Sequence, residues 1–163
     1  MKNYRIEITW ALIFMAMMLI WMFIEKLAGL HSTHIDKHVI YTNFVAIPAI
    51  AVYVFAMLDK KKNFYNGTMS YKQGFVFGLI MTFIITLLNP VTQSITSLII
   101  TPEYFPNVIN YAVSTGEMTQ IEAEDYFNLE QYIIQGTIGA FVMGLITTVI
   151  VAFFVKSKDT ANA

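Results

Sequence analysis

The chain has 163 residues, of which 56% are hydrophobic and 13% charged, where an ordinary soluble domain has about a quarter charged. The absence of cysteine excludes disulfides and thiolate metal ligands, and a net charge of −1 says little about partners. No charge falls within Ile8–Ile24, Val39–Leu58, Gln73–Thr101 or Gln131–Val155. Each run is roughly long enough to cross a ~30 Å hydrocarbon layer at ~1.5 Å per helical residue.

The first span is predicted at about residues 6–28. Its apolar stretch is longer than a cleavable signal core and ends in Glu25-Lys26 rather than small residues. Glu25 falls ~27 Å along an ideal helix from Glu7, at the far interface rather than the midplane.

"HSTHIDKH" follows, at residues 31–38, and holds all three histidines. If this stretch were helical, His31, His34 and His38 would share one face, and with Asp36 or Glu25 they would make a tetrahedral zinc set. Thr33-x-x-Asp36 also fits a capping box that starts the second span. In that case His31 and His34 are wet loop residues, and His38 hydrogen-bonds inside the bundle and pairs with Glu25. A His–Glu pair of this kind could titrate near neutrality.

The second span, about 38–58, opens with His38, Tyr41, Thr42 and Asn43, and a lysine-rich loop with a turn at Asn66-Gly67 follows it. The third span, about 72–100, carries Gly74, Gly78, Thr82, Thr86, Pro90 and Ser94 at every fourth position. Pro90 should kink this helix, or split it to leave residues 91–100 as a re-entrant piece. Asn89, Gln93 and Thr96 or Ser97 share a face.

Residues 101–130 form an acidic connection without lysine or arginine. A short helix is expected over "NVINYAVS", ending near Gly116. A capping box at Thr119–Glu122 should then start an amphipathic helix that runs into the fourth span. That span, about 131–155, begins with Gln131, Tyr132 and Gln135, and carries Gly136, Ala140, Gly144, Thr148 and Ala152 at spacing four. Small-residue stripes in lipid point to close helix packing, either between spans three and four or across a homodimer seam.

Eight of the ten basic residues, Lys2, Arg5, Lys60, Lys61, Lys62, Lys72, Lys156 and Lys158, fall on one side of a four-pass chain. The positive-inside bias therefore places both termini in the cytoplasm. The expected architecture is an all-α bundle of four membrane helices, treated as a single domain over 1–163, in a bacterial cytoplasmic membrane. Its outer half should hold a polar pocket built from Glu25, His38, Thr42, Asn43, Asn89, Gln93, Ser97 and Gln135, because unpaired amides in hydrocarbon are costly. The cytoplasmic half should be oily packing. No nucleophile elbow, phosphate loop or dinucleotide fingerprint is present. The favoured class is a non-enzymatic binding or structural protein with lipid, an extracytoplasmic partner or a second copy as partners, and no nucleic acid. The alternatives are a small dimeric transporter, and a membrane enzyme or metal or pH sensor using Glu25 and His38. No cofactor is expected, with zinc at the histidines as the alternative.

Several stretches together carry a family resemblance. They are "WALIFMAMMLIWMFIEKLAGLH", "IDKHVIYTNFVAIPAIAVYV", "NGTMSYKQGFVFG", "YFPNVINYAV", "GEMTQIEAEDYFNLEQY" and "GLITTVIVAFF". In content and order they resemble the domain-of-unknown-function family four-one-nine-nine. The resemblance implies a small bacterial four-pass membrane protein and assigns no activity or functional residues.

Overall fold

The computed structural model describes residues 4–157 and is all-helical across them; Lys2 and Lys158 lie outside that range. Helix α1 (Arg5–Leu27) is the first span. The second is built from α2 (Ile35–Tyr41), a 3₁₀ turn (Thr42–Val45) and α3 (Ala46–Asn63). The third is α4 (Tyr71–Ile95) extended by a π turn (Thr96–Ile100). Helices α5 (Tyr104–Ser114) and α6 (Gln120–Tyr126) lead to the fourth span, α7 (Leu129–Val155). All four spans are long and apolar enough to cross a membrane. One end of the bundle bears the histidines and the acidic connection, and the other bears Lys60–Lys62.

Local chemistry sets the boundaries. Gly29 has φ +75, and the Leu30 and Gly29 amides close back on the Glu25 and Lys26 carbonyls. This is a Schellman ending for α1, and it throws the following residues back over the helix terminus. Gly116 ends α5 in the same way, with Glu117 N–H on the Ala112 carbonyl. Ser70 with Gln73 and Thr119 with Glu122 form capping boxes for α4 and α6. The Thr119 amide and hydroxyl hold the Glu122 carboxyl below its usual range.

Three expectations need correction here. Helix α2 begins at Ile35 behind His34 with no side-chain cap, so Thr33–Asp36 is not a capping box; Gly29 had already organised that turn. Pro90 does not split the third span, since α4 continues through it to Ile95. Helix α6 does not run into α7. The chain breaks at Phe127, and Asn128 caps the new helix by accepting from the Gln131 amide. A break also lies where none was expected. Pro48 lacks the amide that would bond the Phe44 carbonyl, and the chain just before it tightens into the 3₁₀ turn.

Helices α4 and α7 pack antiparallel along their small-residue stripes. A Cβ built on Gly78 would lie 2.5 Å from Thr148 Cγ2, one on Gly144 2.6 Å from Thr82 Cγ2, and one on Gly74 3.4 Å from Ala152 Cβ. Within one chain, each stripe therefore faces the other. A chain of hydroxyls crosses this contact, with Tyr53 Oη 2.8 Å from Thr82 Oγ1 and Thr82 Oγ1 3.3 Å from Thr148 Oγ1. Around it, Tyr53, Ala56, Met57, Phe77, Met81 and Ala152 form the core towards the lysine end.

The lysine end is not purely oily. Lys60 Nζ lies 2.9 Å from Glu7 Oε1, with both side chains buried, and sits 3.8 Å over the Phe64 ring. Lys61 donates to the Val155 carbonyl, and Ser157 and Met69 bond reciprocally. A lysine in the last turn of the second span was counted as loop charge in the sequence, although its partner lies on the first helix.

Gly78→Ala should lower stability by about 1–3 kcal/mol through overpacking, read as a fall in detergent melting temperature, whereas Gly139→Ala, where a Cβ meets nothing within 4 Å, should leave the melting temperature unchanged. Lys60→Met should cost about 3–5 kcal/mol because it strands a buried carboxylate, and adding Glu7→Gln should recover most of the loss.

Candidate functional site

The site is built around Glu25, whose side chain is 1% exposed at the end of α1. Trp21, one turn earlier, donates from Nε1 to Glu25 Oε1 at 2.5 Å. The Schellman turn returns the chain so that His31, 3% exposed, places Nε2 3.1 Å from Glu25 Oε2. His38, one turn into α2, brings its own Nε2 within 3.4 Å of the same oxygen. The two imidazoles meet edge to face with centroids 5.3 Å apart. Lys26, the adjacent cation, turns away to the Ile100 carbonyl, 2.5 Å from Nζ.

Helix α5 roofs the cluster. Tyr104 packs against both imidazoles at 5.2 Å, and its hydroxyl lies 3.4 Å from His38 Nδ1 and 3.1 Å from Tyr132 Oη. Asn107 donates to the His31 carbonyl at 2.9 Å. Burial pushes the Tyr104 phenol above its ordinary value; the bond to Tyr132 opposes this and the Glu25 charge adds to it. The phenol is therefore a neutral hydroxyl at physiological pH.

Beside this cluster lie two cavities. A cleft of about 480 Å³ opens between all four spans. Its lining from α3 stops at Ile50 and that from α4 starts at Ile85, while α1 and α7 line it as far as Ala11 and Thr147, so it runs from the histidine-end half past mid-span. Met15, Met18, Met22 and Met143 line it, with Asn89 and Gln93 among its polar residues. Asn89 Nδ2 donates to Thr137 Oγ1 at 3.1 Å, and Gln93 Nε2 donates to the Tyr132 carbonyl at 3.3 Å. A second cavity, about 510 Å³, lies under α5 and α6 and is lined by Asp36, His38, Tyr104 and Glu117.

The expected site residues therefore divide. Glu25 and His38 meet. Thr42, Asn43, Asn89 and Gln93 line the cleft, although Asn43 also donates to the Val39 carbonyl at 2.6 Å. Ser97 is buried in the π turn and is not among the cleft-lining residues. Gln135 is exposed on α7 and lines neither cavity, while its neighbour Gly136 makes the contact with Asn89. His31 is buried rather than wet, and His34 is exposed. The three histidines do not share a helical face, since residues 28–34 are turns. Tyr104 and Asn107 were not singled out from sequence, and Trp21 stood out only as an aromatic ring near a helix end. Gly29 was the available signal, since a glycine two residues past a helix end returns the chain over it.

Four apolar spans with a polar cluster at one end define the class: an all-helical protein of the membrane-spanning type. The family described as protein of unknown function (DUF4199) matches residues 9–157, and the chain belongs to that family. No curated protein and no solved structure matches it.

His31→Ala should cost about 1–3 kcal/mol, the penalty for a buried acceptor losing its partner, whereas exposed His34→Ala should stay within about 0.5 kcal/mol of wild type. Paired thermal melts of the two variants check both.

Proposed function

We propose that this is a multi-pass protein of the bacterial cytoplasmic membrane, with both termini cytoplasmic, that binds a lipid-like amphiphile non-enzymatically in the cleft between its spans. The carrying observation is the cleft's lining. Its walls are largely apolar, and methionines supply adaptable surface for an acyl chain. Asn89 and Gln93 each use one amide N–H inside the fold, which leaves their carbonyl oxygens available to a donor on the ligand's polar end. Burying a chain there while pairing its head with amides is the usual logic of a small-molecule pocket. The orientation rests on Arg5, Lys60–Lys62, Lys72 and Lys156 at one end against Lys26 and Lys37 at the other.

Gly139 lines the cleft and has open space at its Cβ, so Gly139→Leu should fill the cleft without strain. The expected result is loss of co-purifying lipid in native mass spectrometry at an unchanged melting temperature. Equal lipid retention in the variant, or none in the wild type, would overturn the binding assignment. Because the chain has no cysteine, Thr68→Cys and Ser114→Cys give clean topology probes. In intact cells an impermeant maleimide should label Ser114→Cys and spare Thr68→Cys, and the reverse pattern would invert the orientation.

A further inference from the structure

We infer that Glu25, His31 and His38 form a binding site for a divalent transition-metal ion of the zinc type, closed over by Tyr104 of α5. This does not depend on the cleft or its occupant.

The argument begins with a carboxylate that has lost its water. Glu25 is 1% exposed, and its closest partners are a tryptophan N–H and two imidazoles. A buried carboxylate of this kind needs a positive charge nearby, and the adjacent lysine is occupied at Ile100. Two of the three donor–donor edges already match one ion, and binding would draw the two imidazoles together to close the third. Tetrahedral zinc with bonds of ~2.0–2.1 Å holds its donor atoms roughly 3.3–3.4 Å apart. The two imidazole nitrogens stand 3.1 and 3.4 Å from the same Glu25 oxygen, and ligand atoms from all three residues lie within 4.8 Å of one another.

Direction supports the same assignment. His38 Nε2 is buried and makes no hydrogen bond despite its 3.4 Å approach to Glu25. An atom close to a carboxylate oxygen but not aligned with it as a donor is placed as a co-ligand of a shared ion would be. At His31 the outer nitrogen, Nδ1, is buried without a partner, so only His38 has an outer group to fix its tautomer.

The surroundings supply what such a site requires. A ligating imidazole donates its other N–H to an outer group that fixes its tautomer. For His38 that group is Tyr104, 3.4 Å from Nδ1 and backed by Tyr132. His38 also lines the cavity beneath α5 and α6 together with Asp36 and Glu117, which gives a cation an acidic route inwards. Two nitrogens and one carboxylate oxygen leave a fourth position for water. Imidazole and carboxylate donors select zinc, nickel, copper or cobalt over magnesium or calcium.

The test uses the full-length chain, purified without a histidine tag and stripped with chelator. Trp10→Phe leaves Trp21, bonded to Glu25, as the single tryptophan, so its fluorescence reports the site. Zn²⁺ titration should give a saturable change at one equivalent, magnesium none, and Co²⁺ should give tetrahedral visible bands that zinc abolishes. Glu25→Gln, His31→Ala and His38→Ala should each lose stoichiometric binding, while His34→Ala retains it. Tyr104→Phe should bind about 10–100-fold more weakly through the lost outer hydrogen bond. No one-equivalent binding in the wild type, or an equal loss in His34→Ala, would overturn the site. If His31→Ala does not fold, the wild-type Co²⁺ spectrum and Glu25→Gln decide the question: octahedral bands, or binding undiminished in Glu25→Gln, would refute it.

Discussion

The close approach of α4 and α7 is the constraint on which the rest of the structure depends. Between helices in lipid there is little hydrophobic drive, because the solvent is as apolar as the side chains. Association must come from contact area and from polar groups that find each other. Glycine at 78 and 144 lets the two backbones approach until threonine methyls fill the space a Cβ would take, and Gly74 meets Ala152 and Met69. The hydroxyls of Tyr53, Thr82 and Thr148 then link three spans across the same contact. With the lysine half closed by this packing and by Glu7–Lys60, the helices can stand apart in the histidine half. The cleft is the volume they leave.

The two buried carboxylates at opposite ends of α1 show one problem met in two ways. Glu7 takes a lysine from the second span, a pair whose geometry offsets part of the desolvation of both charges. Glu25 has no such cation and is held by neutral or titratable donors. A full ion pair closes one end, and at the other a carboxylate is held among nitrogen donors under α5. Only the second arrangement leaves room for an added charge.

Legibility differed between the two kinds of feature. The spans were visible as charge-free runs because the hydrocarbon layer imposes length and apolarity on each helix separately. The capping box at Thr119 and the turn glycine at Gly116 were visible because their bonds are local. Pairing of Glu25 with His38 could be anticipated from depth alone, since both lie near the same interface. His31 could not, because its place depends on a reversal at Gly29 that moves it from loop to core. Gln135 failed in the opposite sense. Polarity and depth placed it with Asn89 and Gln93, but rotation about the α7 axis decides exposure, and that rotation is fixed by Gly136 meeting α4.

By itself, the sequence determined which segments are long and apolar enough to cross a membrane and which end gathers the polar residues. These follow from transfer free energies and from hydrogen bonds within a few residues. Tertiary structure alone decided that Lys60 pairs with Glu7 and that the small stripes serve each other within one chain. It also decided that His31, Glu25 and His38 converge under Tyr104. Each of these depends on how one helix is rotated and seated against another, and a periodicity read along a single helix does not contain that information.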